Sequence, residues 1–351
     1  MAHKTTTPGH RTYRAADGTT RRALVYTPAR ANGDLVVDVH GGAWTWYTAE
    51  VDRWWCTQLA ARGATVVSVD FCSALERPWP AGYDDVRCAT AWAREEFADA
   101  DSRVTVMGGS TGGHLAALVG LHGDHDGVRP DRVVALWPIV DVVGRWEMVR
   151  PHRLAASPPA GHSTVPTRPQ AGEDGYAGPG QRQIERLVAD RLSTSAVRRG
   201  RALVAAELLH VANAAQASIG PAKRKLYSQL ARAHELTFPG GVEQMRSASP
   251  TEELQRRLAA AARHGEPGRG GDIVDRADLP ELPDLLVVHA DADANTTEEM
   301  SSRFVGLWAQ CGGRSELLRV PRAGHSFANI PSHASARLIE RIARFLNLPS
   351  N

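Results

Sequence analysis

Short apolar segments alternate with longer amphipathic ones along much of this 351-residue chain. The short segments are rich in β-branched residues, and several are apolar almost throughout, which is typical of strands covered on both faces. They are Leu35–Val39, Thr65–Asp70, Arg103–Met107, Arg132–Trp137, Leu285–His289 and Glu316–Val320. Helices are predicted at Val51–Arg62, Tyr83–Phe97, Gly113–Leu121, Thr297–Gln310 and Ser335–Leu346. The alternation predicts an α/β fold with a mostly parallel central sheet flanked by helices.

The alternation stops after Asp141 and resumes near Asp284. The first part of this gap, to Gly180, is rich in Pro, Gly, Ser and His and is predicted to be loop. The rest has helical spacing of apolar residues, in the sets Ile184, Leu187 and Val188; Val204, Leu208 and Val211; and Leu226 and Leu230. We therefore predict an α/β domain formed by residues 1–144 and 281–351, interrupted by a largely helical cap at residues 145–280.

The last predicted helix of the cap has the clearest start signal. Ser249 can cap its N-terminus, Pro250 occupies the first helical position, and Glu252 stands three residues after the cap. Gly265 follows its predicted end.

Composition and charge narrow the classes of partner. The net charge is only +2, which gives no reason to expect a nucleic-acid partner. Residues 145–270 hold 19 Lys and Arg against 11 Asp and Glu, an excess of positive charge. Such an excess usually belongs to a solvent-exposed face. The alternative is a surface that attracts anionic substrates or a partner protein. The sequence does not determine an oligomeric state.

Local signals for membranes, secretion and metals are missing from the sequence. The polar N-terminus lacks the apolar core of a signal peptide, and no run of 18 apolar residues predicts a membrane span. The four cysteines form no CxxC pair and no zinc-type cluster with histidines. We predict a soluble, cytoplasmic protein that uses no metal and no organic cofactor.

The most informative segment runs from Val104 to Leu118 and contains Gly108-Gly-Ser-Thr-Gly112-Gly. A GxSxG pattern between a strand and a helix is typical of a nucleophile elbow, in which a sharp turn exposes the serine hydroxyl at the carboxyl edge of the sheet. The positive end of the helix dipole then favours a developing oxyanion. We therefore predict Ser110 as a nucleophile, against the alternatives of a structural serine or a phosphate loop; no Gly-Lys-Ser/Thr supports the latter.

A second glycine motif, His40-Gly-Gly-Ala-Trp44, follows an apolar strand. Acyl transfer passes through a tetrahedral oxyanion, which requires preorganised N–H donors. Because glycine lets the backbone approach closely, we predict that the amides of Gly41, Gly42 and Thr111 form an oxyanion hole. The alternative is a tight turn without a chemical role.

A serine hydroxyl needs a base, and the base needs an acid that fixes its tautomer. His325 follows the last strand and a glycine, so we predict it as the base, with His333 as the fallback. The acid is expected after Leu285–His289. We favour Asp293, with Asp291 and Asp141 as alternatives.

Nine tryptophans are present, and five of them lie near the oxyanion motif or after the second predicted strand. Most are expected to pack in the core. Trp44 and His40 are the candidates for a wall of the substrate pocket, because they flank the predicted donors.

With these residues in view, the chain resembles the hormone-sensitive-lipase-like carboxylesterases of the α/β-hydrolase superfamily, and also their arylformamidase-like relatives. The resemblance rests on His40-Gly-Gly-Ala-Trp, Gly109-Ser-Thr-Gly-Gly-His-Leu-Ala-Ala and Val69-Asp-Phe-Cys-Ser-Ala-Leu-Glu-Arg-Pro-Trp-Pro-Ala-Gly-Tyr-Asp-Asp. It implies an esterase with Ser110, Asp293 and His325 as the triad.

The chain departs from the family pattern at several positions. Cys72 stands where the family commonly has Arg, Gly109 and Thr111 replace the usual Asp and Ala beside the serine, and His114 replaces the frequent Asn.

The motifs together predict a serine hydrolase that cleaves a carboxylic ester of a small molecule through an acyl-enzyme. One alternative keeps the triad but changes the reaction: an acyltransferase, cyclase or thioesterase of a specialised pathway, because an unusual cap could exclude water. A peptidase or a non-catalytic binding module with the same fold is a further alternative.

Overall fold

The computed structural model describes residues 7–153, 181–193, 195–216, 220–264 and 280–349. Its centre is an eight-stranded sheet in the order β1-β2-β4-β3-β5-β6-β7-β8. The strands are β1 (Gly9–Arg14), β2 (Thr20–Tyr26), β3 (Asp34–Val39), β4 (Thr65–Val69), β5 (Arg103–Gly109), β6 (Arg132–Leu136), β7 (Asp284–Ala290) and β8 (Ser315–Val320). The strands from β3 to β8 pair in parallel, so the predicted parallel sheet is confirmed.

The sequence did not predict β1 and β2, which pair antiparallel with each other and join the sheet along β4. β1 is an exposed edge strand with polar residues at most positions, so it carries little of the apolar pattern that identifies a buried strand. β3 and β6, by contrast, are buried at every residue, and their apolar pattern predicted them directly.

The helices are α1 (Arg53–Ala60), α2 (Ala81–Phe97), α3 (Thr111–Asp126), α4 (Val142–Val149), α5 (Gln181–Arg191), α6 (Ala196–Gln216), α7 (Gly220–Thr237), α8 (Gly241–Ser247), α9 (Pro250–His264), α10 (Glu298–Gln310) and α11 (His333–Phe345). One face of the sheet packs on α2, α3 and α10 through residues such as Leu118 and Phe304. The other face packs on α1 and α11 through Trp55 and Ile339. Both layers agree with the predicted helices.

The segment between β6 and β7 contacts the rest of the protein in separate places. Helices α4, α7 and α8 share an apolar cluster with Trp44, whereas Val188 of α5 joins the core beside α1 and α11. Leu254 of α9 lies in the core beneath α3 and α10. The division at residues 145 and 280 stays a prediction, and α9 shows that part of the insert contributes to the sheet's own core.

Two local predictions within this segment were wrong or only partly met. The sequence predicts loop at Val142–Val149, but these residues form α4, which Asp141 caps by accepting a hydrogen bond from Gly144 N at 2.7 Å. α9 does begin at Pro250, but the Ser249 hydroxyl donates to Val140 O and accepts from Val142 N, so it bonds to a neighbouring loop. Most of the predicted loop before Gly180, and the predicted end at Gly265, lie outside the described residues.

No helix among the described residues is long and apolar enough to cross a membrane.

Two carboxyl groups are fully buried: Asp38 lies on β3, and Asp52 directly precedes α1. Asp38 accepts hydrogen bonds from Trp55 Nε1 at 2.8 Å and Ser68 Oγ at 2.6 Å, and burial raises its pKa to about 6. Asp52 accepts from Asn329 Nδ2, while its Oδ2 has no partner in the described part of the chain. Burial and then the Asp38 charge raise the pKa of Asp52 well above its ordinary value.

A raised pKa means that the folded state favours the neutral carboxyl group. This contribution to stability is therefore full below the unfolded pKa and is lost as the pH rises toward the folded pKa. We expect Asp52→Asn, which is neutral at every pH, to raise the free energy of unfolding near pH 8 and to raise it by much less near pH 4.5. Urea unfolding at both pH values measures this. A variant that is destabilised equally at both would show that Asp52 is ionised in the folded protein.

Candidate active site

Ser110 lies at the sharp turn between β5 and α3, as the glycine-flanked motif predicts. Its backbone has φ 56° and ψ −114°, a conformation that residues other than glycine rarely adopt. Its N–H donates to Leu136 O at 2.8 Å, and its carbonyl accepts from His114 N at 3.0 Å, so hydrogen bonds on both sides hold the turn. The hydroxyl therefore stands at the carboxyl edge of the sheet, above the N-terminus of α3.

The elbow and the end of β3 are in backbone contact. Val39 is the register partner of Gly108, and a Cβ atom on Gly112 would lie 1.7 Å from Val39 O. Only glycine fits at this position. The close approach places His40 and the two glycines after it beside Ser110; a Cβ on Gly41 would meet Gly109 O at 3.0 Å.

Three side chains from separate loops form a continuous hydrogen-bonded series. His325 Nε2 lies 3.0 Å from Ser110 Oγ, and His325 Nδ1 lies 2.7 Å from Asp293 Oδ2. The serine follows β5, the aspartate follows β7 and the histidine follows β8. Because these are parallel strands, their carboxyl ends meet at one edge of the sheet. The structure thus brings together the three residues predicted as a triad.

The alternative residues lie elsewhere. Asp291 is exposed, and Asp141 caps α4. The His333 side chain is 72% exposed and pairs with Glu207 at 2.9 Å. Neither of these two contacts involves Ser110 or His325.

The environment of Asp293 favours its ionised form. Its side chain is fully buried, which by itself would raise its pKa. The charge and hydrogen bond of His325, together with hydrogen bonds from Asn295 N at 2.6 Å and Thr296 Oγ1 at 2.9 Å, outweigh burial and lower the pKa below its ordinary value. A buried carboxylate held in this way can fix the Nδ1–H tautomer of His325, which leaves Nε2 free to accept the serine proton.

The predicted oxyanion donors lie around the same serine. Thr111 is the first residue of α3, so no preceding turn of helix supplies a carbonyl for its amide. Gly42 has φ +118°, and its carbonyl accepts from Thr45 N and Trp46 N, forming a tight turn directly after β3. A Cβ on Gly42 would lie 2.0 Å from Trp46 O, so the turn requires glycine.

The two predicted pocket residues are both buried. His40 stacks on Phe71 with ring centroids 4.4 Å apart, and its Nδ1 lies 2.7 Å from Gly41 O. Burial lowers the His40 pKa. Trp44 is 5% exposed and packs edge-on against His114, His234 and Phe238. Their assignment to a substrate pocket stays a prediction.

Sequence reasoning missed Arg145, which is buried in α4 beside the site. Its Nε donates to Asn295 O at 3.2 Å and its guanidinium lies 5.7 Å from the centre of the Trp44 ring. Burial lowers its pKa to about 10. A single arginine in a predicted loop carries no sequence signal for such a position.

No group of three or more His, Cys, Asp or Glu side chains within the described ranges could hold a metal ion.

Residues 36–188 match a protein-family model described as alpha/beta hydrolase fold. The mycobacterial esterase LipQ (Mycobacterium tuberculosis) is 33% identical over 100 residues, which cover 27% of this chain and 24% of LipQ. Carboxylesterase NlhH from the same species is 38% identical over 101 residues, covering 27% of this chain and 32% of that enzyme. The chain thus matches between about a quarter and a third of the length of these relatives.

Among solved structures, brefeldin A esterase, a bacterial homologue of human hormone-sensitive lipase, superposes with a TM-score of 0.61 at 20% identity. The superposition covers 98% of this chain and 77% of that one. The protein has the α/β-hydrolase fold. The resemblance to hormone-sensitive-lipase-like proteins, predicted from the motifs, is confirmed, since hormone-sensitive lipase from Bos taurus is 32% identical over 112 residues, which cover 30% of this chain and 14% of that enzyme.

Proposed function

We propose that this protein hydrolyses carboxylic esters of small molecules through a covalent acyl-enzyme on Ser110. The observation that carries the proposal is the unbroken hydrogen-bonded series from Ser110 Oγ through His325 to the buried Asp293 carboxylate. The names of the similar esterases support the same reaction class for this chain.

The first half of the reaction forms the acyl-enzyme. Ser110 Oγ attacks the ester carbonyl while its proton passes to His325 Nε2, and the amides of Gly41, Gly42 and Thr111 stabilise the resulting oxyanion. The Asp293 carboxylate stabilises the imidazolium that forms. Collapse of the tetrahedral intermediate breaks the bond to the alkoxide, which takes the proton from Nε2 and leaves as the alcohol.

The second half regenerates the enzyme. His325 Nε2 takes a proton from a water molecule, whose oxygen attacks the acyl carbon and forms a second oxyanion in the same donors. Expulsion of Ser110 Oγ, reprotonated by His325, releases the carboxylic acid. Atoms and charge balance without a cofactor.

The intact mass of the protein after exposure to a fluorophosphonate tests this proposal. We expect one phosphonyl adduct on the wild type and none on Ser110→Ala, because the reagent reacts with serines activated by a neighbouring base. The same preparations are then assayed with p-nitrophenyl acetate for release of free acid. A folded wild type that acquires no adduct and hydrolyses no ester would contradict the proposal and favour a binding module.

A further inference from the structure

The loop that carries the predicted oxyanion donors has an unusual backbone. Gly42, Ala43 and Trp44 follow one another with φ values of +118°, +49° and +63°. Residues other than glycine adopt this region only when the surrounding contacts outweigh the strain. Contacts with the surrounding protein must therefore hold the backbone of Ala43 and Trp44 in this conformation. Their position matters because the amides of Gly41 and Gly42, directly before them, are predicted oxyanion donors.

The backbone of Trp44 is fixed by the residue that follows the nucleophile. Trp44 N donates to Thr111 Oγ1 at 3.1 Å, in a buried contact. The amide of Thr111 is itself a predicted oxyanion donor. Its side chain therefore links the start of α3 to the loop that carries the other two donors, Gly41 and Gly42. An alanine at this position, as the resembling family usually has, could not make this bond.

The indole of Trp44 is fixed by a second residue of α3. Trp44 Nε1 donates to His114 Nδ1 at 3.2 Å, which assigns the His114 proton to Nε2, and Nε2 in turn donates to Ala248 O at 2.7 Å. His114 has no exposed surface, and burial lowers its pKa to about 4. It is therefore a neutral hydrogen-bond acceptor at neutral pH. The series ties the oxyanion loop to α3 and to the backbone between α8 and α9.

The face of the same indole is covered by a buried cation. The Arg145 guanidinium lies 5.7 Å from the centre of the Trp44 ring, a distance at which a cation and an aromatic face attract. Arg145 Nε donates to Asn295 O, and Asn295 N donates to Asp293 Oδ1. Arg145 thus connects the oxyanion loop with the loop of the predicted acid.

We propose that Trp44 is a positioning residue of the oxyanion hole, locked in its left-handed conformation by Thr111, His114 and Arg145. The inference rests on the proposed function, because it concerns donors that act in ester hydrolysis. It assigns a shared role to Thr111 and His114, two positions at which the chain departs from the resembling family. In this proposal Trp44 holds the backbone of the oxyanion loop in place and does not line the substrate pocket.

The test compares Trp44→Phe with Trp54→Phe. Each variant loses one buried indole hydrogen bond, since Trp54 Nε1 donates to Ser335 Oγ at 3.0 Å in a part of the core away from the oxyanion loop. Loss of one oxyanion donor lowers kcat by about 10²- to 10³-fold, and we expect displaced donors in Trp44→Phe to lower it by about tenfold or more, with KM nearly unchanged. Trp54→Phe should keep kcat within about twofold of wild type, because it leaves the donors in place.

A second pair of variants leaves Trp44 intact. His114→Asn keeps an acceptor near the position of Nδ1, whereas His114→Leu removes it. We expect His114→Asn to retain kcat within about threefold and His114→Leu to lose about tenfold, since only the latter leaves the indole N–H unsatisfied. The affinity of a trifluoromethyl ketone, which adds to the serine as an oxyanion, should fall in parallel with kcat/KM across all variants.

The outcomes separate the inference from the proposed function. If Trp44→Phe and His114→Leu behave like Trp54→Phe in kcat and in ketone affinity while the wild type is active, Trp44 is only a packing residue and the inference is overturned. If the wild type neither hydrolyses an ester nor binds the ketone, the proposed function fails, and the inference fails with it.

Discussion

His325→Ala is expected to lower kcat for ester hydrolysis by about 10⁶-fold, the size of effect seen when the base of a serine triad is removed. His325 Nε2 lies 3.0 Å from Ser110 Oγ, so the variant leaves the hydroxyl without a proton acceptor. KM should change little, because the imidazole acts mainly in the transition state. Steady-state kinetics with p-nitrophenyl esters, after a check of folding by circular dichroism, measures the effect.

His333→Ala is the matched control for this substitution. His333 was the fallback base, but its side chain is exposed and pairs with Glu207 on α6. An exposed pair of this kind contributes little to stability, so the control should keep both kcat and the unfolding temperature close to wild type. Activity that survives in His325→Ala and disappears in His333→Ala would reverse the assignment.

Asp293→Asn is expected to lower kcat by about 10⁴-fold. Asparagine can donate to Nδ1, which favours the wrong tautomer of His325 and places the ring proton on the nitrogen that must accept from Ser110. It also removes the negative charge that stabilises the imidazolium. Because the Asp293 carboxylate has a lowered pKa, it should stay ionised in the wild type throughout the neutral pH range. Its stabilisation of the imidazolium should be lost only as the pH falls through that lowered pKa.

Two further asparagine substitutions serve as controls. Asp291 is exposed, and asparagine at position 141 can still cap α4. Asp291→Asn and Asp141→Asn should therefore both retain kcat within about threefold of wild type. A loss as large as that of Asp293→Asn in either variant would show that the acid is supplied from another loop.

Much of the parallel sheet and of the candidate site could be predicted from sequence because their signals are local. Strands such as β3 and β6 are buried at every residue and mostly apolar. The glycines around Ser110 form a local GxSxG pattern that the sequence shows directly, although it is the close approach of β3 that excludes a side chain at Gly112. Strand order then places the ends of β5, β7 and β8 at one edge, so the acid and the base are expected in the loops after β7 and β8. β1 was missed because its exposed edge position leaves no apolar pattern.

The amino-acid sequence by itself determined the parallel strands β3 to β8, the sharp turn at Ser110 and the glycine loop after β3, because each leaves a pattern of apolar or glycine positions within a few consecutive residues. Only the tertiary structure shows which of the candidate carboxylates reaches the His325 ring, where Asp293 Oδ2 lies 2.7 Å from Nδ1. It also decided the surroundings of Trp44, where Thr111, His114 and Arg145 come together from two helices. Contacts between distant segments depend on how the helices pack over the sheet, and no local pattern of the chain records that packing.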